Sequence, residues 1–439
     1  MTEIIPLLVC LEPHLNSTTL RQLRHVLYAM LCIPNRVTML GLSRWTEKGG
    51  SYRTLQRLYQ MPLNWLLIHW TLVQTHLVRA DGIYVLAGDE VVVNKAGQKT
   101  HGVGRFYSSL AQRVIPSVSL LTLSLIDVER RQAYPLHIQQ IMPTASAETA
   151  PGTPAKRKPG RPKGRKNYAR PVPVLSPLFQ LLQRMLTCIA EPLAQLGVNH
   201  IVLDGKFGNY PATWTVRQAG YHIVSKMRQD AALYLPYSGA KPRRGPTPRY
   251  GDKLDYSQLP AEPPVASYID EDYRVDIYHR QAYHKDYPDL LNVVVIFKTH
   301  RTTGKRGHGV LFSTDLDLSA AQIVDFYRLR FQIEFNFRDA KQYWGLQDFM
   351  NVSPQAVTNA VNLAFMMVTL SPVMLKPYRE HDPHFSVLDL KARFRARRYL
   401  IETINLLPQM PEPDLISRLW HRLSRLGSIR PPHFDAFVP

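Results

Sequence analysis

His200-Ile201-Val202-Leu203-Asp204 is a short apolar run that stops on a carboxylate. Such a run is too brief for a helix and reads as a buried strand. Upstream, from about Ser176 to Leu196, apolar side chains at Leu178, Leu181, Leu182, Leu186 and Leu193 recur at helical spacing. Downstream come a helix near Pro211 to Gly220 and a strand at His222 to Met227. Further upstream, Ile83-Tyr84-Val85-Leu86-Ala87 is a second apolar run, ending at Gly88-Asp89. A strand at Val118 to Val128 and a hairpin partner at Arg131 to Gln139 follow it. Three strands, a helix, a strand, a helix and a strand make the expected class α/β.

The flanks have a different texture. Residues 1–80 read as helical: Thr18 through Met30 is apolar at helical spacing, and Ser51 is an acceptable N-cap for a helix running on through Leu58. This part is either a DNA-end-binding domain or an ordinary helical bundle, since no turn spells a helix-turn-helix. Residues 81–228 hold the first part of the core. Residues 229–312, rich in Tyr, Pro and Gly, interrupt it with strand-like runs at Tyr273 to Tyr278 and Leu291 to Lys298, and read as a β-rich insertion. Residues 313–375 resume the core with one long helix from about Ser319 through Trp344 and a buried helix at 355–372. Residues 376–439 form a basic helical C-terminal region, with Lys391, Arg393, Arg395, Arg397 and Arg398 close together, suited to dimerisation or DNA contact.

The 439 residues carry 54 Lys plus Arg against 34 Asp plus Glu, a net charge of +20. That excess favours a polyanion: DNA, RNA or an anionic membrane surface. The N-terminus lacks the basic start of a signal peptide. The most apolar stretch, Ala356 to Leu375, contains Asn359, Asn362 and Pro372, which suits a buried helix better than a bilayer span. No membrane partner is expected. Cys10, Cys32 and Cys188 are too few and too scattered for a disulfide framework or a zinc site. The expectation is a reduced, cytoplasmic protein in which any metal has oxygen ligands.

In-line attack on a phosphodiester needs an activated oxygen and a stabilised leaving oxygen, and two divalent ions about 4 Å apart serve both. Magnesium prefers carboxylate oxygens. Strand ends in an α/β sheet face the ligand crevice, so acids there can converge. Asp89 and Asp204 both follow buried runs, although a lone strand-end Asp is ordinarily a turn former or a helix cap. The third candidate lies in Asp325–Lys341. On a uniform helix, Tyr327, Arg330, Glu334 and Lys341 share a face about 60° wide, beside an apolar stripe of Phe326, Ile333 and Phe337. Asp325 and Asp339 point away from that face. A solvated ion pair between Arg330 and Glu334 would account for the charges, but not for the tyrosine beside them. A phosphate site accounts for the set: Glu334 for metal, Arg330 and Lys341 for phosphate oxygens, and Tyr327 as a donor.

Tyr327, Arg330, Glu334 and Lys341, separated by two, three and six residues, resemble the Tyr-Arg-Glu-Lys signature of a group of bacterial insertion-sequence transposases. Arg330-Phe331-Gln332-Ile333-Glu334 is similar to that family's Arg-Trp-x-Ile-Glu, with Phe331 replacing Trp, and Thr314-Asp315 to its Thr-Asp entry. Gly88-Asp89 and Asp204-Gly205-Lys206-Phe207 look like the regions of its two aspartates. The likeness spans about residues 80–345. It implies an RNase H-like catalytic core with the β-rich insertion between second Asp and Glu. Asp89, Asp204 and Glu334 would be catalytic metal ligands for two Mg²⁺ ions, with Mn²⁺ able to substitute. Tyr327, Arg330 and Lys341 would contact DNA near the cleaved phosphate. Some relatives stack a flipped base on a tryptophan of the insertion; here there is no Trp between Trp214 and Trp344, and a tyrosine or phenylalanine would have to serve.

No Asp or Glu lies between Glu148 and Glu191. In the loop at 155–170, Arg157, Lys158, Arg161, Lys163 and Arg165 frame a Gly-Arg-Pro core that resembles an AT-hook. Its thin backbone suits a narrow A·T minor groove. The other reading is a flexible basic loop that binds phosphate non-specifically.

These features together lead to the expectation of a cut-and-paste transposase that acts as a homodimer or larger assembly on terminal inverted repeats and target double-stranded DNA, in the bacterial nucleoid. A nuclease lacking strand transfer and a domesticated, non-catalytic DNA-binding protein are the rivals.

Overall fold

The computed structural model describes residues 3–46, 50–108, 111–143 and 172–426. Five helices open the chain: α1 (Ile5–Leu8), α2 (Ser17–Cys32), α3 (Met39–Ser43), α4 (Tyr52–Gln60) and α5 (Trp65–His76). Asn16, Ser51 and Asn64 start α2, α4 and α5 by accepting a hydrogen bond from the backbone three residues on. The strands β1 (Tyr84–Asn94), β2 (Gly104–Ser108), β3 (Arg113–Asp127) and β4 (Gln132–Ile141) follow. Next come α6 (Pro177–Ala194), β5 (His200–Leu203), α7 (Tyr210–Gln218) and β6 (His222–Met227).

The order β4-β3-β1-β5-β6 runs through one sheet. β4, β3 and β1 are antiparallel, whereas β1, β5 and β6 are parallel. This mixed order is consistent with an RNase H-like core. β2 was not expected. It pairs along the N-terminal part of β3, which begins at Arg113, before the apolar run that revealed β3 in the sequence.

Residues 229–312 supply β7 (Leu233–Pro236), β8 (Tyr250–Lys253), β9 (Ala266–Asp270), β10 (Tyr273–His284), β11 (Leu291–His300) and β12 (Arg306–Ser313). They extend the core sheet itself, since β12 pairs antiparallel with β6 and leads to β11, β10, β7 and β8.

The stretch expected as one helix from Ser319 to Trp344 is two: α8 (Ala320–Leu329) and α9 (Gln332–Gln342). The reason is local: Phe331, Ile333 and Glu334 donate backbone bonds to residues three back rather than four. That overwound turn separates the helices. A wheel drawn at a uniform angle therefore does not hold beyond Arg330.

α10 (Pro354–Arg379), α11 (Val387–Asn405) and α12 (Pro413–Leu423) complete the described chain. α10 is long and apolar enough to cross a membrane, yet it is mostly buried in the protein. Its asparagines explain how. Asn359 accepts from Trp65 Nε1 at 2.7 Å and donates to the carbonyls of Leu58, Tyr59 and Met61, while Asn362 bonds His69 at 3.2 Å. The N-terminal helices thus share a core with α9, α10 and α11.

The basic C-terminal cluster is largely engaged inside the fold. Lys391 is buried and donates to Met30 O and Tyr343 O, both at 3.0 Å. Arg395 donates to Cys32 O, Arg397 pairs with Glu3, and Arg398 pairs with Glu402.

Candidate active site

β1 does not end at Asp89. It runs on to Asn94, because residues beyond Gly88 keep pairing with β3, Asp89 opposite Thr122. What ends at Gly88 is the parallel pairing with β5, whose last partner is Leu203. Asp89 and Asp204 are therefore next in register on neighbouring strands, one strand spacing of about 4.8 Å apart. Both share the sheet face of Val85, Ala87 and Val202, which packs under α8. The Asp204 carbonyl accepts from Ser225 Oγ and from Phe207 N, which fixes the turn beyond β5.

The turn between α8 and α9 brings Arg330 onto this edge. Its Nη1 lies 2.5 Å from Asp89 Oδ2 and its Nη2 lies 3.6 Å from Glu334 Oε1, so one guanidinium bridges two carboxylates. The side chains of Asp89 and Arg330 are only 17% and 14% exposed, whereas Glu334 is 45% exposed. Burial pushes the Asp89 carboxyl up to about 6; Arg330 and the Glu90 backbone N–H oppose this, and Asp204 and Glu334 add to it. Burial also acts against the Arg330 charge, but Asp89, Asp204, Tyr327 and Glu334 outweigh it and raise its pKa. The same acids therefore act in opposite senses on the pair: Asp204 and Glu334 favour the charge on Arg330 and, added to burial, disfavour the charge on Asp89. Tyr327 lies in the same field, its pKa raised by burial and by Asp204, with Arg330 as its hydrogen-bond partner.

The structure thus gathers Asp89, Asp204, Glu334, Arg330 and Tyr327. Lys341 stands apart, about 10 Å further along α9 than Glu334. It is half-buried, and burial lowers its pKa. Asp325 and Asp339 pair elsewhere, with Arg131 and Arg338. Arg157, Lys158, Arg161, Lys163 and Arg165 lie outside the described residues. Sequence reasoning missed Glu90 and Lys206, which pair at 2.6 Å and tie β1 to the turn after β5. The only signal for them was adjacency to the two aspartates.

Among the described residues, no three His, Cys, Asp or Glu side chains stand together as a metal group; Arg330 lies between two of the acids. The donor set nevertheless suits a hard divalent cation, being all carboxylate. The buried Arg330 Nε has no hydrogen-bond partner, which leaves a donor for an anionic oxygen at the same place.

Residues 10–286 match the DDE superfamily endonuclease family, a span that includes Asp89 and Asp204 and ends before Glu334. The chain is a DDE superfamily endonuclease. No curated protein matches it. Among solved structures, it is similar to the cryo-EM structure of the piggyBac transposase synaptic complex with hairpin DNA, at 12% identity and a TM-score of 0.38, over 97% of this chain and 80% of that one.

Proposed function

We propose that this DDE superfamily endonuclease is a cut-and-paste DNA transposase of the insertion-sequence group with the Tyr-Arg-Glu-Lys signature. The observation that carries the reading is the guanidinium of Arg330 bridging Asp89 and Glu334, with Asp204 one strand away and Tyr327 alongside. Asp89, Asp204 and Glu334 would hold Mg²⁺, or Mn²⁺ in its place. The ions would supply charge neutralisation at the phosphate and an activated attacking oxygen.

Each residue of the chain has its own task. Arg330 turns from the carboxylates to a phosphate oxygen, a stronger bidentate partner for its planar fork. Tyr327 donates its hydroxyl beside it. Glu90 and Lys206 tie the strand that carries Asp89 to the turn that follows Asp204. Lys341 and the basic loop with Arg157, Lys158, Arg161, Lys163 and Arg165 bind DNA further from the cleaved bond. The helices of residues 1–80 read the element ends, and the protein works in the cytoplasm as a homodimer on paired ends.

The test is incubation with DNA carrying the flanking inverted repeats, Mg²⁺ and a target plasmid. Cleavage and joining support the transposase. Cleavage without joining reduces the activity to that of a nuclease, and binding alone overturns both. Alanine at Arg161 and its neighbours should weaken DNA binding and flatten its salt dependence; an unchanged slope would remove the loop from the interface.

A further inference from the structure

β3 begins before its partners do. β1 accompanies it only as far as the pair of Asn94 with Ser117, and β4 only as far as the pair of Ile141 with Ser119. Residues 113–116 have β2 alone as a strand neighbour, and β2 is the end strand of the sheet. β2 and residues 113–116 therefore leave the core as a two-stranded ribbon. The ribbon is basic: no Asp or Glu lies between Glu90 and Asp127, whereas Lys99, Arg105 and Arg113 are all exposed.

Register fixes which way the ribbon faces. Asp89 stands opposite Thr122, and the alternate residues of β3 from there, Leu120, Val118, Pro116 and Val114, share that face. Arg105 is opposite Pro116 and Tyr107 is opposite Val114, so both stand on the sheet face that carries the acid. Arg113, at an odd position, stands on the other face. Val91, Val93, Val118 and Leu120 are buried in the core shared with α9 and α10, and the face is bare again at Tyr107 and Val114. From Thr122 to Val114 is eight residues, about 26 Å. That is the length of about eight base pairs of duplex.

The root of the ribbon is fixed. Gly102, at φ +68°, turns the chain into β2, and Gln140 Nε2 donates to the neighbouring His101 O at 2.8 Å. Lys95 Nζ ties the end of β1 to Gln347 O at 3.1 Å and Phe349 O at 3.0 Å. A two-stranded ribbon is narrow enough to enter a major groove, where Tyr107 and Val114 can meet a thymine methyl. An arginine on each face then reaches the phosphates of either groove wall. A second copy of the chain, at +20, offers such an arm no matching charge.

We propose that the ribbon of β2 and residues 113–116 is a duplex-DNA arm that enters the major groove about eight base pairs from the phosphate at Asp89 and Asp204. Its position on the duplex rests on the DNA-cleaving reading of those acids. Arg105 and Arg113 hold the backbone, Tyr107 and Val114 fill the groove, and the fixed root keeps the arm at a set distance from the cleaved bond.

The test is binding of the full-length chain to a duplex carrying one flanking inverted repeat, in metal-free buffer, by fluorescence anisotropy across a salt series and by hydroxyl-radical footprinting. Arg105→Ala with Arg113→Ala, both at exposed positions, should weaken binding about tenfold and lower the salt slope by about two, since each phosphate contact contributes about 0.9. The protection lost should be confined to a patch about eight base pairs from the acids' phosphate. Lysine at both positions should restore the slope, which a merely misfolded alanine variant would not explain. An unchanged slope and footprint overturn the arm. So does unchanged DNA binding with a changed oligomeric mass, which would give the ribbon to a second copy of the chain. Cleavage is scored separately: cleavage by the wild type with an unchanged slope in the variant overturns the arm alone. A lowered slope in a protein that cleaves nothing supports the arm and overturns the reading of the acids.

Discussion

Arg330 and Asp89 form a buried ion pair, with Nη1 2.5 Å from Oδ2, at the position where a carboxylate would otherwise face a second and a third acid. The arginine does in the free protein what a cation would do in a loaded one. DNA and metal should therefore bind cooperatively, because a phosphate that draws Arg330 away frees Asp89 for a cation.

This arrangement makes a first prediction. Arg330→Gln removes the competing cation, so Mn²⁺ binding without DNA, followed by calorimetry, should tighten by about tenfold, or about 1.4 kcal/mol. Cleavage should fall by at least about a hundredfold, because the phosphate loses its charged partner. Weaker Mn²⁺ binding in the variant would contradict the counter-ion role.

A second prediction concerns pH. Asp89 titrates at about 6 in the folded chain, above the ordinary 3.8, so its native pKa is raised. Below about pH 4 both states hold the proton and there is no effect. Between pH 4 and 6 the unfolded chain releases it first, and stability falls as pH rises. Above pH 6 the cost is fully present, at about 3 kcal/mol. Asp89→Asn should accordingly be more stable than the wild type at pH 8 and equal to it near pH 4, as read by denaturant melts. A constant offset across that range would refute the assignment.

The acids themselves give a third. Glu334→Ala and Asp204→Asn should each abolish cleavage while DNA-end binding stays within about twofold. Retained cleavage in either would exclude that residue from the centre.

A fourth addresses the scaffold. Asn359→Ala strands the Trp65 indole N–H and the carbonyls of Tyr59 and Met61 at the end of α4, and leaves Leu58 O with the Met61 N–H alone. Burying such groups unpaired should cost about 3 kcal/mol. A loss below about 1 kcal/mol would mean that other groups take over those bonds.

Much of the core was legible because its strands are short, apolar and punctuated. The strand at His222–Met227 stands where its pattern ends, and Asp204 follows β5 directly. The continuation of β1 beyond Asp89 was not legible, because Glu90-Val91-Val92-Val93 gives no turn signal to set against the preceding Gly88. The break at Arg330-Phe331 left no trace either: no Gly or Pro marks it, and only hydrogen bonds one residue shorter create it. Glu334 and Lys341 both lie beyond the overwound junction, but Glu334 is in the first turn of α9, close enough to stay beside Arg330, whereas Lys341 is two turns further on. Lys206 and Glu90 needed tertiary contact to be seen at all.

The antiparallel pairing of β12 with β6 closes residues 229–312 into a loop whose two ends lie in adjacent strands. Excising that segment would not yield a smaller working core. It would bare the backbone N–H and C=O groups of β6 along Val224–Met227, a sticky edge open to other chains. The truncated protein should go into inclusion bodies, and the route by which it aggregates should be strand addition at β6.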